Sequence, residues 1–221
     1  MDGRVAHLGE SVDPALQRVT FDGRPVKPPG EKITVLLNKP AGYITTMSDP
    51  QGRPIVSSLI KIPGLRLFPV GRLDMETEGA LLLTNDGELA QRILHPSNEI
   101  NRTYLARVKG APAPEALDSL RQGIILEERH TWPAVIKIIR RSRETTTLKV
   151  IIHEGRKRQV RKMFDAIGHP VLYLKRIAYG KLPLGRLARG EYRVLNRDEL
   201  HLLAVNPTRE GDRADEQIRT D

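Results

Sequence analysis

A chain of 221 residues with 39% hydrophobic and 29% charged side chains has the make-up of an ordinary folded globule, long enough for one sizeable core or two small domains. It contains no cysteine, which excludes disulfides, thiolate metal sites and cysteine nucleophiles, and no run of about 18 apolar residues that would span a bilayer. A formal charge of +9 points to a polyanionic partner, and the excess is concentrated: eleven Lys or Arg against three Asp or Glu lie between His153 and Arg193.

The start, Met1-Asp2-Gly3-Arg4, lacks the layout of a signal peptide, so a cytoplasmic protein is expected. Short strands joined by turns are expected up to Val26, with Asp22-Gly23 as a hairpin dipeptide. Pro28-Pro29-Gly30 marks a linker. Ile33 to Leu37 is a β-rich run closed by the turn Lys39-Pro40-Ala41-Gly42, and Leu67 to Val70 leads into Gly71-Arg72-Leu73-Asp74. Ala80 to Thr84 is a continuous apolar strand, expected to be buried on both faces. Asn85 or Asp86 then caps a helix that carries Leu89, Ile93 and Leu94 and stops at Pro96.

Asn101 to Val108 alternates like a strand, and a helix follows from Pro114 to Gln122, ended by Gly123. Strands are expected at 134–139 and 146–152, the second with Leu148, Val150 and Ile152 on one face. Val160, Met163, Phe164 and Ile167 then fall at helical spacing, with Gly168 as the stop. The stretch from there to about Val205 reads as short strands and turns, and residues 206–221 as a disordered tail.

Three features could carry chemistry. Asp74 sits on a loop just past a strand, where active sites tend to be built, although Asp49 and Asp86 occupy similar turns. Glu76 and Glu78 beside it also allow a Mg²⁺ cluster. The second feature is Arg156-Lys157-Arg158-Gln159-Val160-Arg161-Lys162, five cations in seven residues where a strand becomes a helix. Arg161 lies beside the apolar stripe and can reach an interior cleft, where its planar fork would suit a carboxylate; Arg158 and Lys162 face outward. The third is Tyr104, flanked by Arg102 and Arg107, which suits stacking on an unpaired base as well as a half-buried place in the core. His95, His153 and His169 have no ligand-like spacing, and no metal or cofactor is expected.

Lys39-Pro40-Ala41-Gly42, Gly71-Arg72-Leu73-Asp74 and Glu154-Gly155-Arg156-Lys157-Arg158-Gln159-Val160-Arg161-Lys162-Met163-Phe164, in that order, resemble the RsuA/RluB-type family of ribosomal RNA pseudouridine synthases. Lys175-Arg176, Leu182-Pro183-Leu184 and Gly190-Glu191-Tyr192-Arg193 extend the likeness, which covers roughly residues 33–205. The resemblance implies that Asp74 is the catalytic residue, that Tyr104 stacks on the target uracil, that Arg161 pairs with Asp74, and that Arg72 helps to occupy the space left by the extruded base. Arg156, Lys157, Arg158, Lys162, Lys175 and Arg176 are the expected RNA contacts. The first 27 residues resemble the second half of an S4-type RNA-binding domain, which leaves either a start codon further upstream or a naturally reduced domain.

The expected fold is α+β: a mixed or antiparallel sheet with flanking helices over residues 31–205, preceded at 1–30 by a partial S4-like module. The expected function is uridine isomerisation in large-subunit ribosomal RNA, free or in a pre-ribosomal particle, by a monomer with no membrane association and no protein partner that the sequence indicates. The alternatives are a small-subunit enzyme, a non-catalytic ribosome-assembly protein on the same fold, and a Mg²⁺-dependent nuclease built on Asp74, Glu76 and Glu78.

Overall fold

The apolar run at 80–84 lies inside a sheet in the computed structural model, which describes residues 2–203 other than 8, 14, 15 and 27–29. The expected tail, and Leu8, Pro14, Pro28 and Pro29, fall outside the described residues. The chain divides into two compact units, residues 1–32 and residues 33 onward.

In the first unit, β1 (Thr20–Phe21) and β2 (Arg24–Pro25) form a hairpin. Its turn places Asp22 at φ 48° and Gly23 at φ 75°, the left-handed pair that an Asp-Gly two-residue loop favours. Asp2 and Arg18 exchange two hydrogen bonds, Arg4 pairs with Glu10, and Val5, Leu16 and Phe21 are exposed.

The second unit begins with β3 (Thr34–Lys39), β4 (Phe68–Val70), β5 (Glu78–Thr84) and helix α1 (Gly87–Leu94). Strand β6 (Arg102–Lys109), helix α2 (Pro114–Gln122) and the small hairpin β7 (Ile125–Leu126) and β8 (Arg129–His130) follow. Next come β9 (Val135–Arg141), β10 (Thr145–Ile152), helix α3 (Gln159–Ala166) and β11 (Val171–Tyr179). The described part closes with β12 (Leu182–Pro183), β13 (Tyr192–Val194) and helix α4 (Arg197–Leu203).

The main sheet runs β13-β3-β5-β11-β6-β10-β9, with β4 beside β5 and β12 beside β11. Every pairing in it is antiparallel except one: β5 and β11 run parallel and meet only at Glu78–Lys175 and Gly79–Arg176. The sheet is therefore two antiparallel halves joined along a two-residue seam. The mixed sheet and its helices make the fold α+β, as expected.

Both faces of β3 and β5 are covered. Leu37, Leu81 and Leu83 pack into a core with Leu117 and Leu120 of α2 and Met163 and Phe164 of α3. Leu36, Ala80 and Leu82 pack on the other side with Ile93 of α1 and Leu203 of α4. Each buried leucine contributes roughly 1.5–3 kcal/mol relative to exposure, so this double burial accounts for the unbroken apolar run.

The expected helices are present with their caps. Asp86 caps α1 by accepting from Glu88 N at 3.1 Å and Leu89 N at 3.2 Å, and Gly168, at φ 77°, follows the end of α3. The reading of 169–205 as short strands and turns needs correction. Strand β11 is nine residues long and central, and α4 is a helix. Register shifts at Val171/Tyr173 and Arg176/Ala178 break its two-residue alternation, which hid the strand. The start of α4 did carry a signal: Asn196 and Glu199 exchange side chain-to-backbone hydrogen bonds of 2.9 and 3.2 Å, a capping box.

Candidate active site

Asp74 stands on the loop between β4 and β5, and its neighbours fix that loop through the backbone. Thr45 Oγ1 donates to Leu73 O at 2.8 Å and accepts from Leu73 N at 3.2 Å. Gly42 N donates to Met75 O at 2.8 Å. Lys39, wholly buried at the end of β3, donates from Nζ to Pro40 O (3.0 Å), Asp74 O (3.1 Å), Met75 O (3.3 Å) and Thr77 O (2.9 Å). A buried ammonium is costly unless oxygens surround it, and here those oxygens belong to the Asp74 loop. The Asp74 carboxylate itself makes no hydrogen bond or ion pair to a described residue and lines a cleft of about 640 Å³.

The cleft lies at the seam of the sheet. Alternation on β6 turns Arg102 and Tyr104 towards it, with Tyr104 largely buried. Arg176 lies opposite Tyr104 in register and is only 2% exposed. Its Nε donates to Ala80 O at 2.6 Å and its guanidinium sits 4.7 Å from the Tyr179 ring centre, while Nη2 is shut from solvent with no partner. Arg102 Nε donates to Tyr179 OH at 3.2 Å and Nη1 to His153 O at 2.8 Å. Among the described residues, a carboxylate without a hydrogen-bond or ion-pair partner thus shares a cleft with two buried arginines that have no carboxylate of their own.

The other expected residues divide between the cleft and its surroundings. Arg72, Lys157 and Arg158 are exposed and line it. Arg158, at φ 56° as the N-cap of α3, also reaches Glu76 at 3.8 Å. Arg161 is buried and does not pair with Asp74: Nη1 donates to Val171 O at 3.1 Å, and Nη2 lies 3.9 Å from the Glu76 carboxylate. Arg156 is held by Glu154 at 2.9 Å, by Arg129 O at 3.0 Å and by His130 O, and Lys162 pairs with Glu127. Lys175 is half-buried beside Glu78 and outside the cleft, and Arg176, expected on a phosphate-contact face, lies inside it.

Glu78 is buried and accepts from Tyr173 OH at 3.0 Å with Arg189 at 3.2 Å, whereas Glu76 is exposed. Among the described residues no three His, Asp or Glu side chains are grouped to hold a metal ion.

Sequence reasoning missed Lys39, which it read only as part of a turn. The available signal was a lysine directly continuing a doubly buried strand, where burial demands a set of acceptors. Burial pushes the Lys39 ammonium down to about 8, and the carboxylates of Asp74 and Glu78 hold it up against that. Between about 8 and the ordinary 10.5 the unfolded chain binds this proton and the folded chain does not, so the contribution of Lys39 to stability rises with pH across that window and is least favourable below it. Activity is expected to run the opposite way. Above about pH 8 the loop loses its central cation, so turnover should fall through an inflection there, and a pH–rate profile of Lys39→Met should lack that limb.

Residues 33–166 match the family model described as RNA pseudouridylate synthase. An RNA pseudouridine synthase of Aquifex aeolicus is 46% identical over 197 residues, covering 89% of this chain and 79% of its own length. The ribosomal large subunit pseudouridine synthase B of Bacillus subtilis is 46% identical over 175 residues, covering 78% of this chain and 72% of its own. A crystal structure of a pseudouridylate synthase superposes with a TM-score of 0.72 at 30% identity, over 91% of this chain and 86% of that one.

Proposed function

The chain belongs to the RNA pseudouridylate synthase family, in its RsuA/RluB branch, and from that premise we propose that it converts uridine to pseudouridine in large-subunit ribosomal RNA, with Asp74 as its catalytic residue. The observation that carries the site assignment is the Asp74 carboxylate, unpartnered in a cleft among buried cations. The choice of RNA rests on the large-subunit relative at 46% identity and on the basic stretch 153–193.

The reaction detaches uracil from the ribose by breaking N1–C1′, turns it, and rejoins it through C5. The bonding pair leaves with uracil and spreads over N1, O2 and O4. When C5–C1′ forms, C5 loses its proton and N1 gains one, so the product is an isomer. Asp74 either attacks C1′ or takes a proton from the ribose, and an oxygen without a protein partner is available for both.

Tyr104 offers its face to the extruded base. Arg176, the register neighbour of Tyr104, holds a buried positive charge in the cleft wall, which favours the negative charge that develops on the uracil. Arg161 acts on the loop rather than on the carboxylate, bracing it through Glu76. Arg72, Lys157 and Arg158, exposed at the cleft, take the vacated stack and the flanking phosphates.

The test uses ribosomal RNA transcripts carrying tritium at uracil C5, because forming the new bond must expel that hydrogen. Release from large-subunit RNA and none from small-subunit RNA is the expected result. Release from small-subunit RNA alone would overturn the subunit assignment. No release from either, as naked RNA or as assembly intermediates, would favour a non-catalytic assembly protein.

A further inference from the structure

A second cavity of about 270 Å³ adjoins the catalytic cleft and shares Leu94, Arg102, Gly155 and Arg156 with it. Its outer side is formed by Trp132, which is 54% exposed. An indole half in water, set on the rim of a cavity, has apolar surface free to stack on a ligand. The residue is not loosely held. Its backbone N–H donates to Glu154 Oε1 at 2.9 Å, and the same carboxylate ties down Arg156 and Gln159 at the start of α3. The ring meets His153 edge-on, with centres 5.2 Å apart and planes at 76°. His153, also a wall of the cavity, keeps its Nε2 shut from solvent with no hydrogen-bond partner. A half-exposed aromatic ring braced edge-on by His153 and a partition made by the Arg102 guanidinium together describe a receptor for a flat, partly polar heterocycle.

We propose that this cavity receives a second unpaired base of the RNA, one flanking the target uridine, stacked on Trp132. The inference rests on the RNA-modifying reading of the adjoining cleft. Extruding a uridine from structured RNA leaves its neighbours without stacking partners, and an aromatic surface a few residues from the catalytic cleft recovers part of that loss. The partition is thin because Gly155 brings no side chain to it: a Cβ there would stand 3.6 Å from the Arg102 guanidinium carbon. The cavity therefore contributes to the choice of sequence or bulge around the target, while the chemistry stays with Asp74.

Trp132 is the chain's single tryptophan, so its fluorescence reports this cavity alone. The probe is a short stem-loop of ribosomal RNA, cut around the uridine that the wild-type enzyme modifies and labelled at C5. Wild-type tritium release on this RNA tests the enzyme reading separately. Titrating the stem-loop should quench Trp132, and an abasic nucleotide at one flanking position should remove the quenching. That abasic RNA and the Trp132→Leu variant should each raise KM about tenfold, the weight of one lost base–aromatic stack, and leave kcat within about twofold. An abasic residue at the target itself should abolish turnover and keep the quenching. If saturating RNA leaves the emission unchanged, or if Trp132→Leu turns over the stem-loop with the wild-type KM, the second base site does not exist.

Discussion

Asp74→Asn should lower tritium release by about 10⁴-fold, since it removes a nucleophile or base at the reacting centre. The same substitution should leave thermal stability and RNA affinity nearly untouched. The carboxylate oxygens accept no hydrogen bond among the described residues, so no donor is orphaned; the change removes part of the charge that holds up the Lys39 ammonium, whose own hydrogen bonds go to main-chain oxygens. The loop keeps its shape because Lys39, Thr45 and Gly42 grip it by main-chain atoms. Paired measurements of turnover and of stem-loop binding by the two proteins check this. A variant that lost affinity and turnover together would show Asp74 to be a binding or structural group, and a variant with unchanged turnover would remove it from catalysis altogether.

Gly79→Ala is the substitution expected to damage the fold most. Gly79 holds φ 103°, and a Cβ there would lie 2.1 Å from Arg176 O, 2.8 Å from Arg176 N and 2.9 Å from Arg176 C. All three are backbone atoms of the neighbouring strand, so no rotamer change relieves the clash and β5 must part from β11. Overpacking plus an unfavourable backbone conformation costs about 3 kcal/mol or more, which corresponds to a melting temperature lower by roughly 10 °C for a domain of this size. Because the seam also fixes Arg176 opposite Tyr104, activity should fall further than the folded fraction does. Calorimetry alongside initial rates, corrected for the folded population, separates the two effects. A melting temperature within a degree or two of wild type would mean that the two strands can part at little cost.

The sequence was most legible where local rules and burial agree. The Asp86 cap, the stripe of α3, the doubly buried β5 and the Asp22-Gly23 turn each follow from residue type and spacing, and each is present. Strand β11 was illegible because two register shifts break its alternation and because Lys175 and Arg176 read as phosphate contacts on the surface. One of them is instead an interior cation, a position that no periodicity reveals. The same limit governs the site. The Gly-Arg-Leu-Asp turn drew attention to Asp74 from local sequence, and Tyr104 could be placed on a strand. The helical position of Arg161 did predict an inward side chain, but inward proved to mean Val171 and Glu76. The buried cations that share the Asp74 cleft, or hold its loop, come from β3, β6 and β11, and only tertiary pairing brings those strands together.

The two-residue seam also bears on when this enzyme becomes competent. Gly79 leaves the ribosome long before Arg176, and the half-sheet bearing Asp74 can pair β3 with β5 while β11 is still unmade. Bringing such distant positions together is the slow, entropically costly closure in a fold of this kind. A nascent chain therefore has its acid but neither the far wall of the cleft nor the strand carrying Arg176. On the proposed site, turnover is therefore expected only once β11 is released and docks.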